Sequence, residues 1–134
     1  NDISSLGCPN KWNDHFLNIV SETTTGSQDQ GVFISEKTFK PIIGKRPFMV
    51  FGDYNLYKKL HDWGIDTFDD ILGDGYKKKS SLDRIEWIIN TVKELKSHKN
   101  LPILLYKLKP RLDNNLKVLM EVALDNELKL DSLI

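Results

Sequence analysis

The fold turns on residues 34–53, Ile34-Ser35-Glu36-Lys37-Thr38-Phe39-Lys40-Pro41-Ile42-Ile43-Gly44-Lys45-Arg46-Pro47-Phe48-Met49-Val50-Phe51-Gly52-Asp53. Ser35 has the chemistry of a helix N-cap, because its hydroxyl can accept from the free backbone N–H groups of the next turn. Glu36 suits a first turn, where the helix dipole favours negative charge. Phe39, Ile42 and Ile43 carry helical spacing. Pro41 is compatible with a short helix or with its first turns, and Gly44 marks the end. Pro47 to Phe51 then reads as a buried strand closed by Gly52 and Asp53. Upstream, Phe16 to Val20 is an apolar run between Asp14 and Glu22, and reads as another buried strand. Residues 23–31, rich in Thr and Gly, read as a loop, with Val32 to Ile34 a short apolar re-entry. Strand, loop, helix, strand is a βαβ unit, which predicts a parallel sheet with a right-handed crossover.

Downstream, Leu56, Tyr57, Leu60 and Trp63 share one helical face, and Gly64 stands at the C′ position. Ile65 to Phe68 is a short strand or an extended link, and Asp69 starts a turn of helix. Gly73 to Lys79 is a loop ending in Lys77, Lys78 and Lys79. Ser80 or Ser81 caps a long helix whose buried stripe is predicted as Leu82, Ile85, Ile88, Ile89, Val92 and Leu95. Ile103 to Leu108 fits strand or helix. Pro110 is expected to break the chain before a last helix with Leu112, Leu116, Leu119, Met120 and Ala123 on one face. Residues 1–14 read as an irregular lead-in. The expected fold is α/β: a single Rossmann-like domain over 1–134, with a small parallel sheet flanked by helices and a helical C-terminus. Two strands are strong and at most four are expected, which suits half of a larger α/β architecture. The first residue, Asn1 rather than Met, agrees with a fragment or the C-terminal half of a longer protein.

At 134 residues the chain has the length of one domain. Its 40% hydrophobic and 28% charged residues exclude wholesale disorder and low-complexity classes. Lysine plus arginine balances aspartate plus glutamate at 19 each, which argues against a protein that coats nucleic acid. The lone Cys8 cannot form an intrachain disulfide and points to a reducing, cytoplasmic setting. No stretch approaches the roughly 18 apolar residues of a membrane span. His15, His61 and His98 lack metal-ligand spacing, so no metal or cofactor is called for. No Gly-x-Ser-x-Gly elbow, phosphate-binding P-loop or Gly-x-Gly-x-x-Gly fingerprint occurs. Lys45-Arg46, Lys77 to Lys79, and Lys107, Lys109 and Arg111 read as solvated clusters. Tyr54 and Tyr76, assigned to loops, have the shape to stack on a base or sugar ring.

Ligands of open α/β sheets bind beyond the carboxyl ends of the strands. Here Glu22 ends the first strand and Ser35, Glu36, Lys37 and Thr38 open the helix. A helix N-terminus offers free N–H donors and partial positive charge to a phosphate. Lys37 can add a point charge, and Glu36 can accept from ribose or sugar hydroxyls. Asp53, at the end of the second strand, either orients a hydroxyl or caps the next helix. Capping alone also accounts for Ser35 and Glu36.

The stretch Val32 to Ile42 (VFISEKTFKPI), followed by Pro47 to Gly52 (PFMVFG), resembles the donor-binding C-terminal half of GT-B glycosyltransferases. It is most similar to the fucosyltransferase pattern, in which Thr-Glu-Lys opens a helix and a strand ending in Gly follows. Ser35 stands where that pattern has Thr. Leu17 to Glu22 (LNIVSE) resembles the strand that ends in an acidic residue in those enzymes. Leu60 to Phe68 (LHDWGIDTF) resembles a segment of viral and bacterial proteins with the same Glu-Lys motif. The resemblance implies a nucleotide-sugar donor, with Glu36 and Lys37 as the catalytic pair at its sugar and diphosphate. Glu22, Ser35, Thr38 and Asp53 would line the same cleft. It also implies an acceptor-side half, so the partners expected are a nucleotide sugar and a separate N-terminal half or a second copy. The other reading is a small non-enzymatic adaptor or viral accessory protein acting through the apolar stripe of its C-terminal helix, Leu112 to Leu133.

Overall fold

A computed structural model describes residues 16–22 and 34–125. The readings that fall on 1–15, 23–33 and 126–134, among them the lead-in, the Thr-rich loop, Cys8, His15 and the end of the C-terminal stripe, lie outside the described residues. The elements run β1 (Asn18–Ser21), α1 (Glu36–Ile43), β2 (Phe48–Phe51), α2 (Tyr54–Trp63), α3 (Asp69–Leu72), a 3₁₀ turn (Gly75–Lys77), α4 (Ser81–Lys96) and α5 (Leu101–Asp125). β1 and β2 pair in parallel, from Asn18 opposite Phe48 to Ser21 opposite Phe51, and α1 makes the crossover. The fold is therefore mixed α/β, with a two-stranded parallel sheet among the described residues.

Alternation along β2 divides the core. Phe48 and Val50 point to one side, where they join Phe39, Ile42, Leu56 and Leu60 of α1 and α2 and Leu119 of α5. Met49 points to the other, where it joins Phe16, Phe68, Leu72, Ile88 and Leu108. A strand buried on both faces reads as an unbroken apolar run, as Phe48 to Phe51 does. The 25-residue helix α5 spans both sides, with Leu108 and Leu112 in one cluster and Leu119 and Ala123 in the other. The free edge of β2 is closed by a side chain: the Val50 N–H donates to Tyr57 Oη at 2.8 Å.

Several expectations need correction. Ile103 to Leu108 is helical, and Pro110 lies inside α5 without ending it. Pro110 is exposed, so the amide pairing it forgoes is lost on the solvent side. Buried Leu108 and Leu112 hold the helix on either flank. The stripe predicted for α4 is rotated: Ile88 is buried and Val92 and Leu95 are partly buried, but Leu82 (65%), Ile85 and Ile89 are exposed. The inward positions go instead to Trp87 and Thr91. Trp87 Nε1–H donates to the Leu72 carbonyl at 2.8 Å and Thr91 Oγ1 donates to the Trp87 carbonyl at 2.8 Å. Tyr76 is buried, not a loop ring open to solvent. Gly44 caps α1 with right-handed backbone, and Lys45 takes the left-handed conformation at φ 56°. Pro41 lies in the last turn of the eight-residue α1, not in its first. Among the described residues, no helix is long and apolar enough to cross a membrane.

Candidate functional site at the carboxyl ends of the strands

Glu22 follows β1 and continues its pairing, its N–H donating to the Phe51 carbonyl at 3.1 Å. Its buried carboxylate accepts from the Ser35 N–H at 2.7 Å, from Thr38 Oγ1–H at 3.0 Å and from the Ser35 hydroxyl. Ser35 Oγ in turn accepts from the Lys37 N–H at 3.2 Å. Three of the sequence-predicted residues, Glu22, Ser35 and Thr38, are thus brought together. The anion at the start of α1 is the protein's own carboxylate, sited where free N–H groups and the dipole favour one. The side chains of Glu36 and Lys37, at the same helix start, form no hydrogen bond or ion pair with the described residues. Asp53 caps α2, its Oδ1 accepting from the Asn55 N–H at 3.0 Å.

Beyond the strand ends lies an open groove of about 760 Å³. One wall is Ser21 and Glu22 after β1 with Gly52 and Asp53 after β2; the other is Lys77, Lys78, Lys79, Ser81 and Arg84, with Tyr54 between them. Lys77 pairs with Asp74 at 3.5 Å. Lys78 and Lys79 have no carboxylate partner among the described residues. Arg84 fixes the loop that carries them: Nη1 donates to the carbonyls of Lys78 (2.9 Å) and Lys79 (3.1 Å), and Nη2 to Ser81 Oγ (3.1 Å). Ser80 caps α4 through the Asp83 N–H at 3.0 Å, as expected, so the loop is tied at its far end as well.

Tyr54, 42% exposed on this groove, is the outer ring of an aromatic column. It stacks on Tyr76 with centroids 6.1 Å apart and planes at 17°. Tyr76 stacks on Tyr57 at 3.8 Å and 3°, and Trp87 meets Tyr76 edge-on at 5.8 Å. Trp87 also dictates Gly75, since a Cβ there would stand 2.0 Å from Trp87 Cγ. Burial pushes the Tyr57 hydroxyl well above the ordinary tyrosine range. Burial and then the Asp69 carboxylate it donates to do the same for Tyr76. Thr67 Oγ1–H donates to Asp69 at 2.6 Å and meets His61 Nε2 at 2.8 Å, which makes His61 the donor to Thr67.

The Lys77 to Lys79 loop, read from sequence as merely solvated, is the part of the groove that reading missed. Its one signal was a basic triplet directly before a Ser-capped helix. A second missed feature is Arg111. It grips Asp66 (Nε to Oδ2, 2.6 Å) and Asp70 (Nη2 to Oδ1, 2.8 Å) and lies over the Phe68 ring. The hydrogen bonds to Arg111 hold Asp70 below the usual carboxylate range, and those to Asp70 and Asp66 raise Arg111. Buried Asn115 clamps the Asp66 peptide with two bonds of 2.8 Å. The face expected of the C-terminal helix is largely spent inside: Leu112, Leu119 and Ala123 are buried, and Met120 and Leu124 are exposed.

The site belongs to a mixed α/β protein with an open groove, bordered by charged side chains, at the carboxyl ends of parallel strands. Compared with models of known families, with curated proteins and with solved structures, the chain matches none.

Proposed function

We propose that this chain is the donor-binding domain of a glycosyltransferase-type protein, Rossmann-like in kind, taking a nucleotide sugar into the groove beyond β1 and β2. The observation that carries the reading is the position of that groove. Both parallel strands end in it, and Glu22, on its wall, is hydrogen-bonded to Ser35 at the start of the crossover helix, an arrangement that suits nucleotide-binding α/β sheets. Asp53 uses one carboxylate oxygen on α2, and the other, without a partner among the described residues, would take a ribose or sugar hydroxyl. Glu22 orders the junction between β1 and α1. Glu36 and Lys37, outside the groove lining at the start of α1, have side chains with no partner among the described residues, and the sugar end of the donor would extend towards them. Positive charge near the leaving diphosphate is the main catalytic help such a site supplies. Sugar transfer itself requires an acceptor-side half, so the proposal for these residues is donor recognition.

The experiment is a thermal-shift series with nucleoside diphosphates and nucleotide sugars, repeated on Glu36→Ala and Lys37→Ala. A ligand at a hundred times its Kd stabilises the fold by about 2.7 kcal/mol. The reading predicts a shift with nucleotide sugars that Glu36→Ala reduces. No shift with any of these compounds overturns it.

A further inference from the structure

We infer that the phosphates of this ligand are held by Lys78 and Lys79 across the groove, not by the start of α1, and that its planar ring stacks on Tyr54. The inference rests on the proposed nucleotide reading and assigns its subsites.

Two observations move the phosphates away from α1. The start of α1 already holds an anion, the Glu22 carboxylate, which takes the Ser35 N–H, the Ser35 hydroxyl and the Thr38 hydroxyl. The Lys37 N–H is taken by Ser35 Oγ. A diphosphate placed there would find these four donors occupied and a like charge in contact. The opposite wall has the reverse character. Lys78 and Lys79 border the groove with no carboxylate partner among the described residues, while neighbouring Lys77 is already paired with Asp74. Their backbone is pinned by Arg84, so the two ammonium groups spring from a fixed loop, and ordering it costs a ligand little.

The ring subsite follows from the column. Tyr54 is backed by Tyr76, which is sandwiched against Tyr57 and wedged by Trp87, so the outer ring stands on a rigid support. Aromatic platforms of this kind hold bases without reading their hydrogen-bonding edge. Tyr54, Asp53 and the lysine loop border the same groove, which offers a ring, a hydroxyl and two phosphates one site each. The ligand class is a nucleoside diphosphate moiety. A nucleic acid strand shares that chemistry, but the chain's zero net charge disfavours it.

The test is calorimetric titration of the whole chain at low salt with uridine diphosphate, guanosine diphosphate, inorganic pyrophosphate and a single-stranded RNA oligonucleotide. The variants are Lys78→Ala/Lys79→Ala, Tyr54→Ala and Lys37→Ala, all at exposed positions, with unfolding temperature as the control for folding. The double lysine variant should weaken the diphosphates and pyrophosphate by about tenfold or more. Tyr54→Ala should weaken a nucleoside diphosphate by about tenfold and leave pyrophosphate unchanged. Lys37→Ala should leave all of them near wild type, because these probes lack the sugar that Lys37 is proposed to meet. Nucleotide binding that survives the double variant and is lost in Lys37→Ala overturns the subsite assignment while the nucleotide reading stands. Pyrophosphate bound through Lys78 and Lys79 with no preference for a nucleoside overturns the nucleotide reading and the ring subsite. RNA bound more tightly than either diphosphate overturns both, as does no binding by any probe.

Discussion

Glu22 and Ser35 are bound to each other twice, through the Ser35 backbone N–H at 2.7 Å and through its hydroxyl, linking the end of β1 to the start of α1. The pair welds the end of a strand to the start of the next helix, and Thr38 adds a third bond from inside the first turn. Glu22→Ala strips an acceptor from three donors and leaves the buried Thr38 hydroxyl unpaired. The expected loss is about 3 kcal/mol of stability, since a bond to a charged group contributes roughly 1.5–3 kcal/mol. Glu22→Gln, which keeps one acceptor oxygen, should lose less. Urea unfolding of the three proteins checks the order; a Glu22→Ala midpoint equal to wild type contradicts the weld.

Gly75 exists to make room for Trp87. A methyl group there would stand 2.0 Å from Trp87 Cγ and 2.5 Å from its Cβ, distances that backbone or indole must relieve by moving. Gly75→Ala should cost about 1–3 kcal/mol. The near-ultraviolet circular dichroism should also change, because Trp87 packs edge-on against both Tyr57 and Tyr76. Unchanged stability with an unchanged spectrum would mean that the column tolerates displacement.

The two inner tyrosines set an alkaline limit. Their folded-state ionisation lies above the ordinary value of 10.0, so both stay protonated in the fold while the unfolded chain ionises. Stability is fully present below pH of about 10 and declines as pH rises beyond it. Absorbance titration of the phenolates should show part of the tyrosine signal delayed until the chain unfolds. Tyr57→Phe should flatten the alkaline decline, although it also removes the acceptor of the Val50 N–H and lowers stability at pH 7. Full titration of every tyrosine near pH 10 in the folded state is the opposing result.

An acid limit arises at Arg111. Asp70 ionises below its ordinary value of 3.8 in the fold because Arg111 donates to it. That contribution is present above pH of about 4 and is lost as pH falls through the lowered folded value. Asp70 is 62% exposed, so solvent screening keeps the contribution under about 1 kcal/mol. Arg111→Met should shrink the acid-induced loss measured between pH 5 and pH 2, both at roughly 0.1 M salt. An acid profile that keeps its wild-type slope contradicts this.

The sequence made the frame readable wherever one residue type had one physical use. Ser35, Asp53 and Gly64 sit at helix ends as read, because capping depends on local hydrogen bonding alone. The apolar run at Phe48 to Phe51 became β2, a strand buried on both faces, as an unbroken apolar run requires. Pro110 misled because its cost is offset by the packing of buried Leu108 and Leu112 on either side. The stripe of α4 misled because Trp87 competes for the interior with a hydrogen bond as well as its area. At the candidate site, the meeting of Glu22, Ser35 and Thr38 followed from the βαβ order. The use of Glu22 as the helix's own anion did not, because spacing cannot tell a capping carboxylate from one that waits for a ligand. The facing of Lys78 and Lys79 toward the strand ends depends on how α4 packs, a tertiary fact with no local signature.

The most direct measurement is a titration of the isotopically labelled chain with uridine diphosphate, followed by backbone amide chemical shifts. The account predicts that the amides that move cluster around the groove, at Ser21, Gly52 to Tyr54 and Lys77 to Ser81, and that those of α5 stay still. Shifts confined to α5, or no saturable shift, would contradict it.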